Sequence, residues 1–315
     1  MRAAVSLLVF ALSGCLLFDE PDLGEDEDDP SERVDCFADL PDEAADELLP
    51  GACERIVDVG SDGTTDSTAS YRYDAGGRRI TARVDATLVS YAYDEAGNLE
   101  LTEIDFYIDG EIDSRERRDY ACFEGEEQRD PLPGPCSISN DTNADGTVDV
   151  LRSYEYERGV LVAERNEFGD SIASLVAHVH DDSGRLTTTT TDTLGDGRID
   201  HIVHFGYDDD GHLTYQRTDE MADGSIDVAL EYTVDGHGRP SIIEEFARDR
   251  LTSTTRYDYD DDGRAILETR FYPADPGARV TERRYDRAGN LLAEADYHER
   301  SGWNSECRRY EYNCF

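Results

Sequence analysis

Residues 207–240 read YDDDGHLTYQRTDEMADGSIDVALEYTVDGHGRP and contain two kinds of turn, separated by alternating segments. Acidic residues precede Gly211 in one kind, whereas the other is the pair Asp223-Gly224. After that pair, every second residue is apolar, at Ile226, Val228, Leu230, Tyr232 and Val234. A period of two places these side chains on one face of a β-strand, and Asp-Gly between such strands is typical of a hairpin. The stretch therefore predicts strands joined by tight turns.

The same pattern recurs along most of the chain. Its consensus is Y-x-Y-D-x-x-G-[RNH]-L, and the second aromatic position of the last six units falls at residues 180, 207, 234, 259, 285 and 312. This regular spacing indicates a repeat array. The units begin at Tyr71, Tyr91, Tyr154, His178, Phe205, Tyr232, Tyr257, Arg283 and Tyr310, with a degenerate unit at Tyr120. In each unit we predict one strand before the glycine turn and one after it, with the aromatic positions on the inward face.

The consensus resembles the YD repeat of Rhs-type and teneurin-like proteins over roughly residues 60–315. The resemblance implies an antiparallel β structure in which each unit supplies a hairpin. Rhs proteins that enclose a toxin are much longer, and they end in a core-closing motif followed by a toxin domain. This sequence has only the short echo Asp275-Pro276-Gly277 inside a repeat. We therefore expect no toxin domain and do not transfer the toxin-delivery role.

The predicted fold class is all-β, an antiparallel meander of repeats of about 26 residues. About twenty strands in one flat sheet would leave exposed edges, so we expect the sheet to curl into a barrel-like or spiral form. We place this array at residues 59–315. A disulfide-closed cap is predicted at residues 36–58, with a short helix over residues 43–49.

The N-terminus predicts export and lipid attachment. Residues 1–14 combine Arg2 with an apolar run, as a secretory signal does, and residues 12–15, LSGC, resemble the bacterial lipobox. The alternative is an ordinary signal peptide with a chance cysteine. The resemblance implies that Cys15 is lipidated, and Leu16 after it implies sorting to the outer membrane. Residues 15–35 are highly acidic and predict an extended tether between the lipid and the array.

Six cysteines follow Cys15, and an even number in an exported protein favours disulfides. Their order along the chain suggests the local pairs Cys36 with Cys53, Cys122 with Cys136, and Cys307 with Cys314. The formal net charge of −43, with arginine as the only basic residue besides histidine, excludes nucleic acid as a partner. Simple solubility is the favoured reason for the charge.

One turn resembles a calcium loop. Asp141, Asn143, Asp145 and Asp149 occupy the first, third, fifth and ninth positions of an EF-hand-type pattern, with Gly146 at the sixth. The twelfth position is Arg152, where an acid is expected. The favoured interpretation is a hairpin turn that its acidic residues stabilise without a metal. The related segments at 192–200 and 219–227 have Leu194 and Met221 at the third position.

Other candidate sites have simpler explanations. The triplet Asp182-Ser183-Gly184 is spelled as in aspartic proteases, but it lies in an ordinary repeat turn and has no second copy. His178 and His180 take the aromatic positions of their unit, and His201 falls on the same inward face, so packing is favoured over metal binding. We identify no catalytic residue and no cofactor other than possible calcium.

These observations predict a lipid-anchored repeat protein of the outer envelope, with its array facing the periplasm or the cell surface. We expect it to act as a non-catalytic structural or interaction surface for a protein or a glycan. Tyrosines that remain exposed could stack on sugars; the candidates are Tyr71, Tyr91, Tyr154, Tyr232 and Tyr257. The alternatives are a calcium-stabilised envelope protein, or a hydrolase with a carboxylate or histidine-metal site.

Overall fold

The computed structural model describes residues 36, 52–59, 64–120, 134–169, 171–298 and 304–312. All of them belong to the unit Val34–Phe315. These residues contain strands and turns but no helix, which confirms the all-β prediction. None of the described residues forms a helix with the length and apolar character needed to span a bilayer. The signal segment, Cys15, the tether, the helix over residues 43–49, Cys122 and Cys314 lie outside the described residues.

Twenty strands follow one another along the chain. They are β1 (Glu54–Val59), β2 (Ser67–Tyr73), β3 (Arg79–Val84), β4 (Thr87–Tyr93), β5 (Leu99–Asp105), β6 (Ser114–Asp119), β7 (Ser137–Asp141), β8 (Val150–Glu157), β9 (Val160–Phe168), β10 (Ser171–His180), β11 (Leu186–Asp192), β12 (His201–Tyr207), β13 (Leu213–Asp219), β14 (Val228–Val234), β15 (Pro240–Ala247), β16 (Arg250–Tyr259), β17 (Ala265–Tyr272), β18 (Asp275–Tyr285), β19 (Leu291–His298) and β20 (Asn304–Glu311).

The sheet is an antiparallel meander that closes into a barrel. Each strand from β2 onward pairs with the next, in registers such as Tyr232 opposite Ile243. The ring closes at β1, which pairs with β2 on one side and with β20 on the other. Glu54 lies opposite both Ser70 and Glu311. Closure removes the free edges that a meander of this size would otherwise expose. It also shows that the array includes β1, which begins at Glu54, before the predicted start at residue 59.

The two faces of the sheet differ in exposure. We call the face that carries both aromatic positions of each repeat the tyrosine face, and the other the alternate face. In β14, Leu230, Tyr232 and Val234 are half-buried, whereas Glu231 and Thr233 between them are exposed. The five tyrosines named above as candidate stacking platforms are all half-buried. A barrel of this many strands is wide enough to leave a lumen. Along β14 the tyrosine face is the less exposed of the two, and the inward orientation of the aromatic positions stays a prediction.

A network of ion pairs lies on the tyrosine face where β18, β19 and β20 approach the seam. On the tyrosine face, Glu294 binds Arg283 at 2.6 Å and also pairs with Arg308. Arg308 further binds Glu306 at 2.6 Å and Asp296 at 3.2 Å. Burial acts to lower the pKa of Arg308, but its three acidic neighbours outweigh burial and raise it. The network holds the last strands together beside the closing strand.

A disulfide joins Cys36 to Cys307 across 271 residues of sequence. The predicted pairs Cys36 with Cys53 and Cys307 with Cys314 are therefore wrong. The reason is ring closure, which brings the N-terminal part of the chain next to its last strands. Cys36 and Cys307 pack with Ala293 and Ala295 in a fully buried cluster on the alternate face. Cys53 and Cys136 are also disulfide-bonded, and the pairing of Cys136 with Cys122 stays a prediction.

Candidate functional site

The turns lie at two rims of the barrel, which have different chemistry. Even-numbered strands end at what we call the YD rim, where the acidic glycine turns of the repeat lie. These turns are residues 74–78, 94–98, 181–185, 208–212, 235–239, 260–264 and 286–290. Odd-numbered strands end at the DG rim, which carries the Asp-Gly turns. Every predicted site residue in a turn belongs to one of these two rims.

At the YD rim, the repeat aspartate holds the backbone of its own turn. Asp74 accepts hydrogen bonds from the backbone N–H groups of Gly76 and Arg78, both at 2.9 Å, and from Arg78 Nε at 2.7 Å. Asp235 does the same with its own turn, and mainly its side-chain bond to Arg239 lowers the pKa of Asp235 to about 2. These carboxylates already have several donors, so turn geometry accounts for them. Asp182, of the protease-like triplet, is an exposed residue of one such turn.

The basic residue after the turn glycine reaches the next repeat. The Arg239 guanidinium lies over the Tyr259 ring at 4.3 Å from its centroid, and Arg78 lies over Tyr93 at 4.8 Å. Each such tyrosine also donates its hydroxyl to a backbone carbonyl of the preceding unit, as Tyr259 does to Pro240 at 2.6 Å. The same hydroxyl bond is made by Tyr73, Tyr93, Tyr120, Tyr156, Tyr207, Tyr285 and Tyr312. The consensus residues thus form an inter-repeat lock, which sequence reasoning missed.

Three YD turns lack this arginine: two have asparagine in its place, at Asn98 and Asn290, and one has histidine. His212 stands where most turns have arginine, and its Nδ1 lies 3.1 Å from Asp208 Oδ2. Asp208, Asp210 and His212 are the one group of three potential metal ligands that the described part of the chain brings together. However, Asp208 also accepts the backbone N–H groups of Asp210 at 3.0 Å and His212 at 2.8 Å, as in the other turns. The group is thus explained as a turn in which histidine replaces arginine.

At the DG rim, a nine-residue turn of pattern D-x-x-x-D-G-x-x-D is clamped by its first and last aspartates. Asp141 accepts the backbone N–H groups of Asp145 at 3.0 Å and Gly146 at 2.8 Å, and Asp149 accepts that of Thr142 at 2.8 Å. The same bonds recur in residues 105–113, 192–200 and 219–227. The first aspartate is buried in all four turns. The carboxylate of this first aspartate accepts hydrogen bonds from backbone N–H groups of the turn, which have no partner in a neighbouring strand.

The possible calcium loop is one of these four turns. Its hydrogen bonds match those of the turns that carry Leu194 or Met221 at the third position. An oxygen ligand there, as at Asn143, is thus unnecessary for the turn to form. The backbone N–H of Thr147 is the main group that lowers the pKa of Asp145. Turn geometry accounts for the first, fifth and ninth positions, and calcium binding at Asp141, Asn143, Asp145 and Asp149 stays a prediction.

The DG turns also fix an unusual backbone. The fourth position has a positive φ in all four turns, including 55° at Ile108 and 52° at Ala144, and the glycine at the sixth position has φ of 89–92°. A β-branched residue in the left-handed region, such as Ile108, has a strained backbone. It keeps that conformation only where other interactions hold it in place. The aspartate clamps supply that constraint. The turn therefore has a single, well-defined shape.

The apex of the DG turn is the third position, which carries the most exposed large hydrophobic side chains of the described residues. Tyr107 is 77% exposed, Leu194 71% and Met221 67%. Among the described residues, ten large hydrophobic side chains are exposed, and all of them except Val179 lie at or beside this rim: Val59, Phe106, Tyr107, Val148, Phe168, Leu194, Ile199, Met221 and Phe271. The sequence signal was the apolar third position of the nine-residue pattern, which we had interpreted only as a missing calcium ligand.

The histidines on the tyrosine face make hydrogen bonds within the barrel wall. His178 Nε2 lies 3.0 Å from Glu164 Oε1, and its Nδ1 lies 3.1 Å from Thr189 Oγ1. The registers place His178 and His201 on the same face, as expected, because Thr189 and Thr191 lie opposite them. The two histidines share no set of three metal ligands within the described residues. The absence of a catalytic residue stays a prediction.

The described surface has a groove of about 500 Å³ on the wall of strands β8–β11. Arg165, Leu175 and Thr190 of the alternate face line it, together with Ile199 from the DG turn that leans over it. Asp192, at its edge, already accepts backbone N–H groups of its own turn. The groove thus adds concave, mixed surface next to the DG rim.

Comparison with known proteins gives no family. No family model matches the chain, and no curated protein matches it. Among solved structures, it aligns with the TcdB2-TccC3-Cdc42 crystal structure at TM-score 0.36 and 16% identity, over 75% of this chain and 15% of the other. The Photorhabdus luminescens Tc holotoxin pore gives TM-score 0.32 and 14% identity over 78% and 16% of the two chains. A porin-like protein from Bacteroides uniformis gives TM-score 0.35 and 11% identity over 85% and 99%. The chain thus spans about 15% of the first toxin chain. At these scores the likenesses assign no activity, and the description of the barrel rests on its own registers.

Proposed function

We propose that this protein is a lipid-anchored component of the bacterial outer envelope that acts as a non-catalytic interaction surface. In this proposal Cys15 carries the lipid, the barrel is the rigid body, and the DG rim is the surface offered to a protein or a glycan. The localisation and the anchor rest on the sequence of residues 1–35. The choice of the DG rim rests on the distribution of exposed side chains.

The single observation that carries the proposal is the concentration of exposed apolar side chains at the DG rim. Soluble proteins rarely collect such residues in one region, and where they do, the region is commonly an interaction site. The barrel wall and the YD rim supply only Val179 to the same set. Burying the rim residues against a partner would remove their apolar surface from water.

The proposed anchor suits this arrangement. Twenty residues lie between Cys15 and Cys36, and the fully extended chain from one cysteine to the other reaches roughly 70 Å. The disulfide to Cys307 fixes the near end of that segment on the barrel wall rather than at a rim. Attachment to the wall leaves the DG rim accessible to a partner. The acidic composition of the tether repels the anionic barrel and favours an extended chain.

The anchor is tested by metabolic labelling with an alkyne-tagged palmitate, comparing the wild type with Cys15→Ala. We expect label and outer-membrane fractionation for the wild type, and an unlabelled protein released from that fraction for the variant. Label on both proteins, or on neither, would refute lipidation at Cys15.

The interaction is tested by chemical crosslinking in intact cells followed by peptide mapping of the adducts. Adducts to one envelope component, mapping to the DG rim, are expected. Adducts spread evenly over both rims and the wall would contradict a dedicated surface, and so would their complete absence.

A further inference from the structure

The DG turns present apolar side chains in a way that the fold does not require. Tyr107, Leu194 and Met221 lie at the apex of their turns and are the most exposed large hydrophobic residues of the described chain. The fourth turn has Asn143 at the same position and keeps the same aspartate clamps. A polar residue is therefore compatible with the turn. The bulky apolar residues in the other three turns call for another explanation.

The apex residues are held rigidly. Each turn has two clamping aspartates, a left-handed residue immediately after the apex, and a glycine of positive φ two residues later. A preorganised apex loses little conformational freedom when it binds. Fixed presentation of an apolar side chain is what an anchor residue at an interface needs.

Each apex is followed two residues later by an exposed aspartate. Asp109, Asp145, Asp196 and Asp223 are all exposed, and the backbone N–H that each accepts occupies one carboxylate oxygen. The three turns with Tyr107, Leu194 or Met221 at the apex thus offer an apolar group beside a negative charge. The complementary surface has apolar groups and positive charges in alternation.

The spacing of the turns favours a helix as that surface. Leu194 and Met221 lie in successive hairpins, separated by two strand intervals, which amounts to roughly 10 Å along the rim. An amphipathic helix repeats its apolar face every seven residues, or about 10.5 Å. One helix lying along the rim would therefore place an apolar residue beside each of these two apices. Lysine or arginine on its flanks would lie near Asp196 and Asp223.

We propose that the DG rim between β5 and β14 binds a cationic amphipathic helix of a partner protein. The proposal rests on the proposed function and names the class of partner. A second copy of this chain carries the same formal charge of −43, so charge repulsion opposes self-association through this rim. Anionic lipid is repelled for the same reason.

The test is calorimetric titration with a synthetic amphipathic helix of lysine and leucine. A lysine-serine peptide of equal charge and a glutamate-leucine peptide serve as controls. The variant Tyr107→Asn, Leu194→Asn, Met221→Asn copies the residue that the chain itself uses at the fourth apex. We expect the variant to bind the lysine-leucine helix at least about tenfold more weakly than the wild type, because its apolar anchors are lost. Val179→Asn, a change at an exposed apolar residue away from the rim, should leave affinity unchanged.

Equal affinity of the wild type and the triple variant would overturn the proposal, since it would mean diffuse charge attraction. No binding of the lysine-leucine helix, or tighter binding of the glutamate-leucine peptide, would overturn it as well. Binding of phosphatidylglycerol vesicles to the wild type but not to the triple variant would also overturn the proposal, because the apices would then bind lipid. A dimer that sedimentation detects for the wild type alone would overturn it too, because the apices would then bind a second copy. If the triple variant has no melting transition and so does not fold, the double variant Leu194→Asn with Met221→Asn replaces it in the same binding measurement. Envelope crosslinks that persist in the triple variant would refute this inference while leaving the interaction function intact.

Discussion

Removing the long-range disulfide should destabilise the barrel by several kcal/mol. The bridge between Cys36 and Cys307 closes a loop of 271 residues in the unfolded chain. The chain-entropy relation then gives about 5.6 kcal/mol at 25 °C.

The assay is scanning calorimetry of the wild type and of Cys36→Ala with Cys307→Ala. For a barrel of this size, 1 kcal/mol corresponds to about 2–4 °C, so the melting temperature should fall by roughly 11–22 °C. Peptide mapping without reduction should recover Cys36 linked to Cys307. A linked peptide of Cys36 with Cys53, or an unchanged melting temperature, would refute the closure argument.

Three further predictions concern the turns and the wall. Gly206→Ala should cost about 1–3 kcal/mol of unfolding free energy, because the new Cβ would overlap the Tyr215 ring, whereas Gly236→Ala, which meets open space, should cost little; equal losses would contradict the packing. The Asp235 carboxyl should titrate by NMR near pH 2 rather than 3.8. Its folded pKa is depressed, so its stabilising effect is present above pH 3.8 and is lost as pH falls through about 2; a midpoint at 3.8 would show the turn is not formed. Melting with calcium or with a chelator should coincide, because residues 141–149 form their turn with backbone donors; a calcium-dependent rise that Asn143→Leu abolishes would instead establish a calcium site.

Local features of the barrel could be predicted from the sequence because they depend on local periods. The alternation of apolar residues predicted the strand Val228–Val234, because side chains repeat every two residues along a strand. The glycine at position 211 predicted a tight turn, and the structure gives it the positive φ, 89°, that such a turn needs. The strand predicted after the glycine turn is also present, and in β13 it begins at the consensus leucine, Leu213.

The closing contacts could not be predicted from the sequence. Strand β1 precedes the first repeat and lacks its consensus, yet it pairs with β20 at the other end of the chain. The disulfide at Cys36 follows from the same closure, so local order along the chain suggested the wrong partner. Pairing across more than 250 residues leaves no local pattern in a single sequence.

The candidate surface had a sequence signal whose meaning depended on geometry. Leu194 and Met221 stood out as apolar residues in an acidic pattern, and the prediction treated them as defects in a calcium loop. The structure shows that the pattern forms without an oxygen at that position and leaves the apolar side chain at the apex. Exposure at a turn apex depends on the clamped backbone, which residue types alone do not reveal.

The most direct test of the central claim, that the protein acts through the DG rim, is site-specific photo-crosslinking in intact cells. A photoreactive residue is placed at Leu194 in one strain and at Val179, exposed but away from that rim, in another. Our account predicts a discrete partner adduct from position 194 and none from position 179. Adducts of equal yield at the two positions, or an adduct from position 179 alone, would contradict it.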